Sequence, residues 1–149
     1  AKGRPLEARL AAKRLKDLLG SPSYERNPYR QAAEAFLAEW TPAKISAQHV
    51  QKGVVLLDGE DFVGARKEFD LALAADPTVT EVADLVRKRI YPKVVDLRRR
   101  AADAEREGEP EKAKSLYVHA RDMLRASDDR IWDGVARDLM ALEKKLKAP

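Results

Sequence analysis

Very few residues of this chain have the types and the spacing that catalysis or metal binding requires. Its two histidines, His49 and His119, are widely separated, and it has no cysteine. A zinc site needs three or four His, Cys or carboxylate ligands at suitable spacing, and no such set occurs in the sequence. A glycine-rich phosphate loop, a nucleophile elbow and a metalloprotease helix motif are also missing. The sequence therefore predicts no catalytic residue, no metal and no cofactor.

Acidic residues cluster at two places where carboxylates could act as general acid and base. One cluster contains Asp58, Glu60 and Asp61, and the other contains Asp128 and Asp129. A glycosidase-type pair needs a cleft and two different environments. Both clusters lie at predicted helix starts, where capping and the helix dipole already account for acids. A structural role is favoured, and the chain is not expected to be an enzyme.

Two basic triplets, at residues 87–89 and 98–100, are candidates for a binding site. Consecutive helix residues point about 100° apart, so neither triplet forms one flat patch. A solvated helix explains the triplets, and so does attraction to an acidic partner or a phosphate backbone. Single-stranded nucleic acid would also need interleaved aromatic residues, and only Tyr91 is near. Nucleic acid is therefore disfavoured as a partner.

The composition indicates one all-helical domain of 149 residues. Hydrophobic residues make up 44% and charged residues 36%, with abundant Ala, Leu, Arg, Lys and Glu, as in helices with solvated outer faces. The net charge of +4 permits acidic partners without requiring nucleic acid. No apolar run approaches the roughly 18 residues of a membrane span, so a cytoplasmic location is expected. Because the chain begins with Ala1 and not with Met, a fragment of a larger protein is one interpretation.

Helical periodicity extends over almost the whole chain, and turn formers mark the helix ends. Pro92 is expected to kink or break the helix that spans it, since proline removes a backbone donor and clashes with the preceding turn. The predicted helices run from Pro5 to before Gly20, over 28–40, 42–57 and 61–75, from Thr80 to Glu107 with the interruption at Pro92, over 110–125, and from Ser127 to about Leu146.

Two of the predicted helical hairpins share a pattern of small and large residues. Gly53 and Ala65 are twelve residues apart, and so are Ala101 and Ala113. Both intervals contain an acidic turn with glycine, DGEDF in the first and EGEPE in the second. Downstream, Phe69 and Ala72 correspond to Tyr117 and Ala120. A third first-helix follows Ser127, with large and small residues at Trp132, Val135, Ala136 and Leu139.

This pattern resembles the tetratricopeptide repeat, in which a small residue on each helix permits close packing. The interval from Ala101 to Ala136 is close to the family's repeat of about 34 residues, whereas the interval from Gly53 to Ala101 is longer. The surplus is assigned to an extended helix at the start of the second unit. The predicted organisation is an N-terminal helical pair at 1–40, then unit one at 42–77, the extended helix at 79–91, unit two at 93–126 and a capping helix at 128–147, packed as one domain.

Several positions depart from the family pattern. His49 stands where the first unit often has tryptophan, Lys52 and Arg100 replace leucines, and Arg125 replaces the terminal proline of unit two. The segment 1–40 aligns with no repeat. A generic helical bundle is the alternative to a short right-handed solenoid of antiparallel hairpins, and both are all-α.

The resemblance implies a concave face lined by the first helix of each unit. That face would be apolar at one end and rich in arginine at the other, which suits a partner segment with apolar and acidic side chains. The family's carboxylate clamp is not reproduced, because the repeats contain no asparagine. The implied partner-binding residues are Val50, Val54, Leu57, Val95, Arg98, Arg106, Arg130, Arg137 and Met140.

Arrays of this kind usually present surfaces to other proteins, so a non-enzymatic interaction scaffold is the predicted function. The apolar stripes of the first two helices must also be buried. They could cover Val50, Val54 and Leu57, or could exchange into a second copy and make the protein an architectural homodimer. A nucleic-acid-binding protein that uses residues 87–100 is the less favoured alternative.

Overall fold

The computed structural model describes residues 5–125 and 128–147, and of residues 129–131 only the backbone. These residues form helices and no strand, which confirms the all-α class. Along the chain the elements are α1 (Pro5–Leu18), a 3-10 turn (Pro22–Tyr24), α2 (Pro28–Glu39), α3 (Pro42–Asp58), α4 (Phe62–Ala75), α5 (Glu81–Leu85), a π turn (Val86–Ile90), α6 (Tyr91–Arg106), α7 (Pro110–Asp122) and α8 (Asp129–Lys147).

Contacts divide the chain into two compact units. The first comprises Ala1–Lys52 with Glu68–Val79, and the second comprises Gly53–Lys67 with Thr80–Pro149. The division therefore runs through α3 and α4. The boundary that the sequence suggests near residue 40 stays a prediction.

In the first unit, Arg9 joins α1 to the C-terminal end of α2. Arg9 on α1 donates to the carbonyls of Leu37 and Trp40, at 2.9 and 2.5 Å, where the last carbonyls of α2 have no partner within the helix. Phe36 stacks on Trp40, with ring centroids 6.2 Å apart. These contacts fix the C-terminal end of α2 against α1.

His49 has a structural place in the same unit. Its side chain is buried, and its Nδ1 lies 2.7 Å from Oε2 of Glu68. His119, by contrast, is only partly buried on α7.

The helix is not broken at Pro92. A π turn precedes the proline and the helix continues. The π turn ends at Ile90, directly before α6, in which Pro92 occupies the first turn. A π turn inserts one extra residue and so accommodates the missing proline donor without ending the helix. The extra residue also keeps one apolar stripe on the buried side, consisting of Val82, Val86, Ile90, Val94 and Leu97.

The turns after α3 and α6 have the same conformation. Glu60 and Gly108 both adopt a left-handed backbone, with φ of 61° and 77°. In each turn the next N–H donates to the carbonyl five residues back at 2.9 Å, from Asp61 to Leu56 and from Glu109 to Ala104. This is the hydrogen-bond pattern of a Schellman helix end. The match between DGEDF and EGEPE is therefore a match of backbone geometry as well as of sequence.

Alanines and a tyrosine form the core between α6 and α7. Ala101 and Ala113 are fully buried, as expected for positions where two helices approach closely. Tyr117 lies in the same cluster, and its hydroxyl donates to Glu105 at 3.0 Å. Helix α8 completes the cluster with Leu139 and Leu142.

Two ion pairs show that α6 and α8 run in the same direction. Arg98 binds Asp138 at 2.5 Å, and Lys145 binds Glu105 at 3.0 Å. From the first pair to the second, both helices advance towards their C-terminal ends by the same two turns. Helix α7, which joins the two, packs against both.

Glycine at position 60 should stabilise the protein, because Glu60 is a non-glycine residue with a positive φ. We expect Glu60→Gly to have a free energy of unfolding about 1 kcal/mol higher than Glu60→Ala, since both substitutions remove the carboxylate and only glycine relieves the left-handed strain. Urea unfolding of the two variants measures this difference. Equal stabilities would contradict the assigned conformation.

The stability of the fold should fall at high pH through Tyr117. Burial, together with the hydrogen bond to Glu105, raises the pKa of Tyr117 from 10.0 to about 12. The neutral phenol is therefore favoured in the fold, and its contribution is lost as the pH rises from the unfolded value towards the folded one. Urea unfolding should show a steeper loss over this range for the parent than for Tyr117→Phe. Parallel losses would contradict the prediction.

Candidate interaction surface

On α3, the predicted partner-binding residues lie mainly inside the protein. Val50 and Leu57 are buried, with 4% and 1% of their surfaces exposed, and Val54 is half-buried. Buried side chains cannot contact a partner without rearrangement. The apolar end of the predicted face is therefore not an accessible patch.

On α6, the predicted residues are accessible, but their charges are matched. Val95 is 59% exposed. Arg106 pairs with Asp103 on its own helix. Arg98 lies across Gly134 and donates to Asp138, a bond that raises the pKa of Arg98. Arg98 thus links α6 to α8 and is committed within the protein.

On α8, the predicted residues Arg137 and Met140 are exposed, Met140 at 66%. The side chain of Arg130 lies outside the described residues. Asp138 faces α6, and Met140 follows it by two residues, which is about 200° around the helix. Met140 therefore lies on the side of α8 away from α6 and is not brought together with Val95 or Arg98.

Met140 belongs instead to a groove along α7 and α8, here called the α7–α8 groove. It consists of three adjoining cavities of about 460, 470 and 520 Å³. The first and second cavities share Arg121 and Trp132, and the second and third share Met140 and Glu143. The apolar floor comes from α8, where Trp132, Ala136 and Met140 recur every four residues on one face. The remaining lining residues are Val63, Lys67, Asp122, Leu124, Arg125, Asp133, Arg137, Leu139, Lys144 and Lys147.

The α7–α8 groove carries an excess of positive charge. Six basic side chains line it against three acidic ones. Lys67, Arg137, Lys144 and Lys147 form no ion pair with any described residue. Their charge is therefore available to a partner, and the groove combines an apolar floor with a basic rim.

The basic triplets at residues 87–89 and 98–100 differ from the groove cations, because their arginines form ion pairs with aspartates. Arg99 and Arg100 lie 3.0 and 3.8 Å from Asp96, whose pKa is lowered chiefly by the hydrogen bond from Arg99. Arg89 likewise lies 3.0 Å from Asp58. Exposed pairs of this kind contribute little stability, but they reduce the local positive potential. The triplets are thus weaker candidates for an anionic partner than the sequence suggests.

A buried polar cluster forms around Asp128, directly before α8. Its Oδ1 accepts from Arg66 at 3.2 Å and from the Tyr91 hydroxyl at 3.3 Å, while Oδ2 accepts from the Arg125 N–H at 2.6 Å. The Arg66 and Asp128 side chains are only 6% and 8% exposed. Helix α7 ends at Asp122, earlier than predicted, and Asp128 then fixes the chain before α8 begins.

Sequence patterns give no signal for this cluster or for the groove. Arg66 and Asp128 are far apart in the chain, and local spacing cannot pair them. The sequence predicts Asp128 only as an acid in the first turn of the last helix. It assigns Trp132 and Ala136 to repeat positions, with no indication that they line a cavity.

Comparisons of the chain with models of protein families, with curated proteins and with solved structures give no match. The resemblance to tetratricopeptide repeats therefore stays a prediction from the residues. No helix in the described part of the chain is long and apolar enough to cross a membrane. The same residues contain no group of three or more potential ligands that could hold a metal ion.

Removal of the Asp128 carboxylate should destabilise the protein strongly. We expect Asp128→Ala to lower the free energy of unfolding by about 3 kcal/mol, because the substitution leaves the Arg66 charge in a buried site without this carboxylate. Asp138→Ala is the matched control. It breaks the more exposed pair with Arg98 and should lower the stability by less than about 1 kcal/mol.

Urea unfolding with circular dichroism measures both variants. Similar losses for Asp128→Ala and Asp138→Ala would contradict the importance assigned to the buried cluster.

Proposed function

We propose that this protein is a non-enzymatic interaction module that binds a protein segment with apolar and acidic side chains. The α7–α8 groove is its binding site. The observation that carries the proposal is the accessible apolar floor at Trp132 and Met140 beside cations that have no ion pair with described residues. An apolar floor supplies binding energy, while the basic rim selects and orients an acidic partner.

A tetratricopeptide-like arrangement of hairpins is part of this proposal. It is supported by the two equal turns, by the buried small residues Ala65, Ala101 and Ala113, and by the parallel direction of α6 and α8. In arrays of this type each hairpin buries its apolar face against its neighbours, and the remaining surface binds other proteins.

An architectural homodimer is the second candidate. Helix α1 favours it, because Leu10 and Leu18 are 53% and 80% exposed on one face of the helix. Light scattering over a range of protein concentrations tests it. A dimer that Leu18→Glu converts to a monomer would establish this candidate.

Charge reversal at the rim should weaken binding to an acidic peptide. The probe is a fluorescent peptide of Leu, Ala and Glu, and its counterpart has Lys in place of Glu. We expect Arg137→Glu to reduce the affinity for the acidic peptide by about three- to tenfold at low salt, and by less as salt screens the interaction. Arg14 is an exposed residue of α1, so Arg14→Glu is the charge-matched control and should leave the affinity for the acidic peptide unchanged. Fluorescence anisotropy measures the affinities.

The alternatives give different results in the same assay. Tighter binding of a mixed-sequence oligonucleotide than of the acidic peptide would favour a nucleic-acid-binding protein. Loss of peptide binding on Arg106→Glu but not on Arg137→Glu would move the site to α6. Equal binding of the Glu and Lys peptides would contradict the proposed charge preference.

A further inference from the structure

The repeat register relates the floor of the α7–α8 groove to a helix-packing face elsewhere in the protein. In that register, Ala136 of α8 takes the position of Ala101 of α6. Ala101 is fully buried in the cluster that also contains Ala113 of α7. Ala136 is only half-buried and lines the groove. Helix α8 thus directs Ala136 towards the groove, whereas α6 directs the corresponding residue, Ala101, towards α7.

We infer that the α7–α8 groove binds an amphipathic helix of another protein, which lies along α8 as α7 lies along α6. This inference rests on the proposed function and specifies the conformation of the bound segment. A small residue on the floor permits the close approach of a helix, and the neighbouring Trp132 and Met140 would then pack on either side of the contact.

The size of the groove suits a helix of moderate length. Its lining residues extend along α8 from Trp132 to Lys147, which is about 22 Å at 1.5 Å per residue. A bound helix of about 15 residues spans this distance. Its apolar side chains would recur every three or four residues, since only that spacing keeps them on one face.

The rim also predicts where the charges of the bound helix lie. Lys67 lines the groove from α4, whereas Arg137 and Lys144 line it from α8. Cations therefore stand on both sides of the apolar floor. A bound helix with acidic residues on both flanks of its apolar stripe would match them.

A second copy of this chain fits the groove less well. Helix α1 exposes leucines, but four of its residues are basic and only two are acidic. Its charge has the same sign as that of the groove, so a helix of α1 type would be repelled. A helix of opposite charge from a different protein is the better complement to the groove.

Three fluorescent peptides of identical composition, each long enough as a helix to span the groove, test the inference. The first places Leu at helical spacing with Glu on both flanks, the second alternates Leu and Glu as in a strand, and the third repeats the first with its order scrambled. We expect the first peptide to bind at least tenfold more tightly than the other two and to gain helical circular dichroism on binding.

Two alanine substitutions, one on α8 and one on α1, locate the bound helix. Ala136→Glu places a carboxylate on the groove floor and should reduce the affinity for the first peptide by tenfold or more. Ala11→Glu is the matched control at an exposed position of α1, away from the groove cations, and should change the affinity less than twofold. Because Ala136 is half-buried, Met140→Glu serves as a second groove variant at an exposed position, and circular dichroism checks that each variant is folded.

The outcomes separate this inference from the proposed function. If the strand-like or scrambled peptide binds as tightly as the helical one, with binding still lost on Met140→Glu, the inference fails and the proposed function stands. If no acidic peptide binds more tightly than its lysine counterpart, both fail. A dimer of the protein that Met140→Glu dissociates would also overturn the inference, because a second copy would then occupy the groove.

Discussion

The close approach of α6 and α7 at Ala101 and Ala113 is the constraint on which the second unit depends. Both side chains are fully buried, and any larger side chain would push the helices apart. With the helices this close, Tyr117 and the leucines of α8 fill the remaining core. Helix α8 turns the side that carries Leu139 and Leu142 towards this core. The opposite side of α8, with Met140, is left facing outward.

The buried cluster at Asp128 complements this packing at the start of α8. Hydrogen bonds from Arg66, Tyr91 and the Arg125 backbone converge on one carboxylate with little exposure to solvent. Polar contacts of this kind are directional, whereas apolar packing tolerates sliding. The cluster therefore fixes the point at which α8 begins. It thereby fixes the position of Trp132 along the groove.

Charge pairing decides which basic surface is available to a partner. Arginines around α6 have neighbouring aspartates, as Arg98 has Asp138 and Arg99 has Asp96. Arg137, Lys144 and Lys147 of α8 form no ion pair with a described residue. Cations without an ion pair to a described residue therefore line the α7–α8 groove, although the sequence has its densest runs of arginine elsewhere.

Local physics made the helices predictable from the sequence. Proline and capping residues fix helix starts, as Asn27 does for α2, and the turns at Glu60 and Gly108 follow from short-range hydrogen bonds. The all-α class and the positions of most helices needed nothing more. Tertiary structure alone decided which face of each helix is covered. Leu57 and Met140 are both apolar residues at helical spacing, yet one is buried and the other exposed. That difference depends on packing between segments distant in the chain, which periodicity along one helix cannot specify.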